Sequence, residues 1–206
     1  MTTTFEQSVR LAGETTITIR PIEPDDKRLL LEAFERLSQR SRERRFLTPA
    51  TELSAEDLRY LTEVDHRRHE ALVAIDPESD RIVGVARYVK VPGEREAAEV
   101  AVAVADDWQR RGVATALLMA LSRRARENGV VRYRAYVSSD NDVVIDALMR
   151  YGAEGTDGDG PEELEFNVDV PTEGLGERLR TALRAAAAGQ LRAAARMARR
   201  LGVWPR

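Results

Sequence analysis

The stretch WQRRGVATALL, residues 108–118, joins an apolar run to a run rich in alanine and leucine. The apolar residues 100–104 are typical of a buried strand, and the residues after the glycine have helical spacing. Backbone amides in the first turn of a helix have no partners within the helix, and the helix dipole makes that end partly positive. A glycine lets a bulky phosphate approach such amides. From the residues alone, this junction is either a phosphate-binding site or a tight turn that carries solvated arginines.

Short extended runs and amphipathic runs alternate along the rest of the chain. The apolar periodicities and the flanking turn residues predict the order strand, two helices, three strands, helix, strand, helix, strand. The predicted strands are 15–23, 69–76, 81–91, 96–105, 131–141 and a last one within 157–171, and the predicted helices begin at 24, 54, 112 and 141. Ser54 and Asp57 predict a capping box for the second helix, and the third is predicted to end at Gly129. Along the strand 96–105, one face carries Glu99, Ala101 and Ala103 and the other carries Val100, Val102 and Val104. This order predicts an α/β or α+β fold built on a mixed sheet flanked by helices.

The composition excludes several classes of site. The chain has 206 residues, of which 43% are hydrophobic and 33% are charged, as in a soluble globular protein. It has no cysteine, which excludes disulfides, thiolate metal sites and a cysteine nucleophile. The two histidines, His66 and His69, have no third ligand at a plausible spacing, so no metal is expected. No apolar segment approaches the ~18 residues of a membrane span, and we expect a cytoplasmic protein.

The charge is distributed unevenly between two parts of the chain. Residues 171–206 contain eight arginines and two glutamates, a net charge of +6 within a total of −3. We divide the chain into an N-terminal extension 1–14, a domain 15–170 and a basic amphipathic helical tail 171–206. The tail either contacts nucleic acid or an anionic membrane, or docks on the acidic domain or a second subunit. We favour docking, because the acidic domain repels nucleic acid.

The motif QRRGVA, residues 109–114, resembles the Q/R-x-x-G-x-G/A signature of the GNAT superfamily of acetyl-coenzyme A N-acetyltransferases. The element order resembles that fold, a mostly antiparallel mixed sheet flanked by helices, over residues 15–170. The resemblance implies acetyl-coenzyme A as co-substrate, with its pyrophosphate on the amides of residues 110–114. It further implies that the main chain of Val102 and Val104 pairs with the pantetheine arm, where two strands splay apart. The residues that the resemblance assigns to the coenzyme are Val102, Val104, Gln109, Arg110, Arg111, Gly112, Val113, Ala114, Thr115 and Asn141.

Residues 40–75 and 97–114 are similar to the acetyltransferase domain of bacterial protein-lysine acetyltransferases. This closer resemblance implies that the acetyl group is passed directly to a lysine side chain of a protein in a ternary complex. Two alternatives stay open. The acceptor is a small-molecule amine, or the protein is a non-catalytic, regulatory acyl-coenzyme A-binding protein.

Glu99 is the candidate general base, because an ammonium has to lose a proton before its nitrogen attacks a thioester. Its position matches the catalytic glutamate of the resembling group, and the backbone amide of Val102 is a candidate donor to the thioester carbonyl. The alternative for Glu99 is a glutamate at a sheet edge, paired with a surface arginine. Many GNAT members have a tyrosine in the last helix that protonates the thiolate. That position is Leu148 here, so no general acid is assigned.

Overall fold

The computed structural model describes residues 5–11, 14–37, 53–139, 145–146, 148–149, 152–157 and 163–170. Asn141 and the predicted basic tail 171–206 lie outside the described residues, so what was expected of them stays a prediction. The same holds for residues 40–52 of the first resembling segment.

One eight-stranded sheet runs through the domain in the order β1-β2-β3-β4-β5-β6-β8-β7. The strands are β1 Gln7–Arg10, β2 Thr16–Pro21, β3 His69–Asp76, β4 Arg81–Lys90, β5 Ala97–Val104, β6 Arg132–Ser138, β7 Glu154–Asp157 and β8 Glu163–Asp169. Only β5 and β6 are parallel, and the other neighbours are antiparallel. The predicted mixed, mostly antiparallel sheet is therefore confirmed, although β1 and β7 were not predicted as strands.

The helices begin where capping residues indicate. They are α1 Lys27–Glu35, which follows a 3-10 turn, α2 Ala55–Thr62 and α3 Val113–Glu127. Before α2, the Ser54 hydroxyl accepts a hydrogen bond from the Asp57 amide at 3.1 Å, and Asp57 accepts one from the Ser54 amide at 2.7 Å. This confirms the predicted capping box. Residues 145–146 and 148–149 are also helical, and none of the described helices is long and apolar enough to cross a membrane.

The helices pack on opposite faces of the sheet. The side chains of Val100, Val102 and Val104 are buried in the main core together with residues of α3, whereas Ala101 contacts Tyr136 on the other face. We call the α3 side the first face and the other side the second face. Apolar residues of α1 and α2 cover β3 and part of β4 on the second face. The predicted two-sided alternation along β5 is thus confirmed.

A buried polar cluster fixes the end of α3 against β3. Glu70 is fully buried, and its carboxylate accepts hydrogen bonds from the Arg124 Nε at 2.9 Å and the Ala71 amide at 3.1 Å. His66 Nδ1 lies 2.7 Å from the same carboxylate. These bonds fix the orientation of α3 on the sheet, and with it the position of the first turn of α3.

Candidate active site

The junction between β5 and α3 contains two residues with positive φ angles. Arg110 and Gly112 have φ angles of 63° and 99°, while Arg111 between them does not have a positive φ. Successive amides in such an alternation form a concave surface that binds anions. The first hydrogen bond of α3 runs from the Ala116 amide to the Gly112 carbonyl at 3.0 Å. The amides of Val113, Ala114 and Thr115 precede that bond, so they have no acceptor within the helix.

Glycine is required at position 112 for its backbone angle rather than for space. A Cβ atom built there would approach nothing closer than the Leu11 Cδ2 atom, at 3.9 Å. A φ of 99° is one that residues with a Cβ rarely adopt. In the first turn of α3, the Thr115 hydroxyl is buried and has no hydrogen-bond partner within the described residues. A hydroxyl in that state, beside open amides, fits an oxygen-rich ligand.

The polar side chains of the junction differ in whether they contact the protein or the solvent. The Gln109 Nε2 atom donates to the Val104 carbonyl at 3.2 Å and to Asp106 Oδ1 at 2.8 Å, so both of its hydrogens are engaged within the protein. Gln109 therefore ties the turn to the end of β5. Arg110 and Arg111 are exposed, and the Arg111 guanidinium carbon lies 5.0 Å from the centre of the Trp108 ring. Their charge raises the local potential without fixing the turn.

The parallel strands β5 and β6 separate after three residue pairs. They pair from Ala97 with Arg132 to Glu99 with Arg134, and β6 then continues with β8 alone. The Ala105 amide donates to the Val83 carbonyl of β4 at 2.9 Å. Because backbone groups alternate along a strand, Val102 and Val104 direct theirs to the opposite edge, which β6 has left. We call this opening between β5 and β6 the notch.

Glu99 lies at the closed end of the notch and is 3% exposed, on the second face. Next to it, Tyr136 is 1% exposed and packs against Ala101 across the notch. Burial, and then the charges of Glu99 and Glu165, raise the pKa of Tyr136 to about 12. Glu99 is not a residue of a sheet edge, since β5 has a neighbour on each side. Of the alternative, a sheet-edge glutamate paired with a surface arginine, the edge position is therefore wrong.

Comparisons with known proteins establish the family of the chain. The model of the acetyltransferase (GNAT) family matches residues 30–153. The chain belongs to this family. It is 33% identical over 135 residues to Acetyltransferase Pat of Mycolicibacterium smegmatis, a match that covers 66% of this chain and 40% of that protein. It is 31% identical over 141 residues to Acetyltransferase PA5475 of Pseudomonas aeruginosa, with 68% and 75% covered.

Among solved structures of GNAT proteins, the chain resembles the GNAT domain of S. lividans PAT. The TM-score is 0.73 and the identity 30%, and the match covers 80% of this chain and 96% of that domain. The chain spans less than half the length of Acetyltransferase Pat. The GNAT resemblance predicted from the motif at 109–114 is thus confirmed at the level of family and fold.

Beside the notch, the second face of this GNAT domain carries polar side chains. Residues of β6, β7 and β8 and of the turn before β7 line an open depression there: Arg132, Arg134, Gly152, Glu154, Asn167 and Asp169. Arg134 is paired with Glu94 at 3.1 Å and with Glu165 at 3.1 Å. With Arg134 engaged in this way, the remaining charges around the depression are mainly acidic.

The position of the family's general-acid tyrosine is occupied by part of the core. Leu148 is 7% exposed and belongs to the apolar cluster under α3, so it supplies no proton. On the second face, the buried Arg87 donates to the Leu61 carbonyl at 3.3 Å and lies 3.1 Å from His69 Nε2. Neither Arg87 nor Tyr136 was singled out from the sequence. Within the described residues, no group of three histidine or acidic side chains is arranged to hold a metal ion.

Proposed function

We propose that this GNAT domain transfers the acetyl group of acetyl-coenzyme A to the side-chain amine of a protein lysine. The observation that carries the proposal is the buried Glu99 at the closed end of the notch, with the amide-lined start of α3 at the other end. In this arrangement a base and an anion site lie along one open strand edge. Lysine as the acceptor is further supported by the similarity to Acetyltransferase Pat.

The coenzyme side of the proposal depends on backbone groups. The amides of residues 110–114 and the Thr115 hydroxyl would bind the diphosphate, since they are donors without partners in the helix. The open edge of β5 at Val102 and Val104 would pair with the amides of the pantetheine arm, as an added strand does. The coenzyme supplies an acetyl group activated as a thioester. Asn141, outside the described residues, is proposed as a further contact.

Glu99 would act on the acceptor. Its carboxylate takes one proton from the lysine ammonium, and the neutral nitrogen then attacks the thioester carbonyl within the ternary complex. The C–S bond then breaks, and the second proton that the nitrogen loses passes through water to the departing thiolate, which leaves as free coenzyme A. The Val102 amide would donate to the carbonyl oxygen as negative charge develops there. Because Glu99 is held on a strand, its position relative to the open edge of β5 is fixed before the substrates bind.

The polar depression beside the notch is the proposed acceptor surface. Glu154 and Asp169 are exposed there, and Arg132 is the exposed cation near them. An acidic surface attracts a lysine and the basic residues around it, and it repels acidic acceptors. The charges therefore favour a cationic segment of a protein as the acceptor.

The test is release of free thiol from acetyl-coenzyme A with a basic lysine peptide, with a small polyamine, and without an acceptor. We expect the fastest release with the peptide. Glu99→Gln is expected to bind acetyl-coenzyme A as the wild type does and to lose turnover by ~100-fold or more. Glu78→Gln, in the exposed turn before β4, is the matched control and keeps full turnover.

Two results would contradict the proposal in different ways. Binding of acetyl-coenzyme A without thiol release on any amine would indicate a non-catalytic protein. Release with the small polyamine alone would show that the acceptor is not a protein lysine.

A further inference from the structure

A buried base has to return its proton to solvent in every catalytic cycle. Glu99 is 3% exposed, so it has little direct access to water. The Glu165 side chain, on β8, is 23% exposed and does reach solvent. If Glu99 is the base, as proposed above, a group between these two carboxylates is in a position to carry the proton outward.

Tyr136 lies between the two carboxylates. Tyr136 comes two residues after Arg134 on β6, so both side chains lie on the second face. Glu99, the β5 residue paired with Arg134, lies on the same face. Tyr136 lies directly opposite Glu165 on β8. Three charged side chains act on its hydroxyl: Glu99 from β5 and Glu165 from β8 raise the pKa of Tyr136, and Arg134 from its own strand lowers it. With Glu165 the hydroxyl also shares a hydrogen bond.

We propose that Tyr136 passes the acceptor's proton from Glu99 to Glu165. The protonated Glu99 donates its proton to the Tyr136 oxygen while the Tyr136 O–H proton moves to the Glu165 carboxylate. Glu165 then releases that proton to water. One O–H bond breaks and one forms on Tyr136, so the phenol is neutral before and after, and nothing is oxidised or reduced.

The environment of Tyr136 suits a relay that never ionises. Burial and the two nearby carboxylates raise the pKa of Tyr136 to about 12, so the phenol keeps a proton throughout the neutral range. A phenol can accept one hydrogen bond while it donates another, which a phenylalanine ring of almost the same shape cannot do. The exchange therefore depends on one oxygen atom.

The experiment compares Tyr136→Phe with Tyr133→Phe, a buried tyrosine of the same strand that faces α3 in the main core. We expect kcat of Tyr136→Phe to fall by about 10- to 100-fold, with KM for acetyl-coenzyme A unchanged. Added imidazole, a small proton carrier, is expected to restore much of the lost kcat in this variant. It should not accelerate the wild type or Tyr133→Phe.

A structural role alone would not produce rescue by imidazole. Wild-type kcat in Tyr136→Phe, or a loss that imidazole does not reverse, would overturn the relay. If Tyr136→Phe does not fold, Glu165→Gln gives the same comparison and is expected to show the same rescue. Failure of the proposed function is a separate result, because then the wild type releases no thiol with any amine.

Discussion

Glu99 and Arg134 are the last residue pair that joins β5 to β6. Beyond this pair, β5 stays with β4 and β6 stays with β8, so the sheet opens at the carboxyl ends of its two parallel strands. In sheets with parallel strands, ligands bind outside the carboxyl ends at the point where neighbouring connections diverge. The start of α3 lies at the same end, because α3 is the connection between these strands. The positions of the proposed proton acceptor, of the open strand edge and of the proposed anion site thus all follow from one divergence.

The backbone angle of Gly112 gives the first prediction. Gly112→Ala forces a residue with a Cβ to a φ of 99°, which costs about 1–2 kcal/mol or moves the turn. Either response disturbs the amides that are proposed to bind the diphosphate. We expect the affinity for acetyl-coenzyme A, measured by isothermal titration calorimetry, to fall by about 10-fold or more.

Gly93→Ala is the matched control for Gly112→Ala. Gly93 has a φ of 84° in the turn between β4 and β5, and a Cβ there would contact nothing within 4 Å. Both variants should lose a similar free energy of unfolding, whereas only Gly112→Ala should lose affinity. Equal affinities in the two variants would mean that the junction does not bind the coenzyme.

The exposed Arg110 gives the second prediction. Its guanidinium lies on the surface, and single exposed charges contribute roughly 0–1 kcal/mol. Arg110→Ala should therefore weaken acetyl-coenzyme A binding by less than about 5-fold, and the difference from the wild type should shrink at high salt. A loss as large as that of Gly112→Ala would show that side-chain charge, and not the amides, dominates the site.

The close approach of α3 to β4 gives the third prediction. A Cβ on Gly84 would lie 2.9 Å from the Leu117 Cδ1 atom and 3.0 Å from the Val113 Cγ1 atom, both of α3. Gly84→Ala is expected to lower the free energy of unfolding by about 1–3 kcal/mol, because the Leu117 and Val113 side chains must shift from their packing against β4. Since Val113 begins α3, binding of acetyl-coenzyme A should weaken as well. Urea denaturation measures the free energy of unfolding, and calorimetry measures the affinity for acetyl-coenzyme A. An unchanged free energy of unfolding would contradict the close packing of α3 on β4 at Gly84.

Local patterns in the sequence predicted the parts of the fold that local chemistry determines. The capping box at Ser54, the helix end before Gly129 and the two-sided alternation of β5 are all present. The strands β1 and β7 were missed because QSVR and EGTD contain a single apolar residue between them and no alternation. These short segments are strands through their pairing with β2 and β8, which no local pattern encodes.

The candidate site was predicted only in part for a similar reason. The amides of the junction and Glu99 belong to continuous motifs, so the sequence resemblance reaches them. Tyr136 and Arg87 acquire their neighbours from strand register: Tyr136 meets Ala101 across the notch, and Arg87 lies opposite Ala101 on β4. A period of two along β6 separates Tyr133 from Tyr136, but it does not say which of them faces Glu99.

The half-buried His69 gives the last prediction, which concerns pH. Burial, and then the charge of Arg87, lower the pKa of His69 from 6.5 to about 3. In the unfolded chain His69 binds a proton below its ordinary pKa, whereas in the folded protein it stays neutral and lies 3.1 Å from the Arg87 guanidinium. The unfolded state therefore binds more protons between pH 6.5 and about pH 3, and stability falls as the pH is lowered through that range.

Within this window, the free energy of unfolding falls by about 1.4 kcal/mol for each pH unit of acidification because of His69. Above the window, His69 contributes no pH dependence. From about pH 7 to about pH 5, the wild type should thus lose roughly 2 kcal/mol more stability than His69→Gln. The measurement is urea denaturation of both proteins at the two pH values, because the other titrating groups are common to both. Parallel losses would mean that His69 is protonated in the folded state, next to the Arg87 guanidinium.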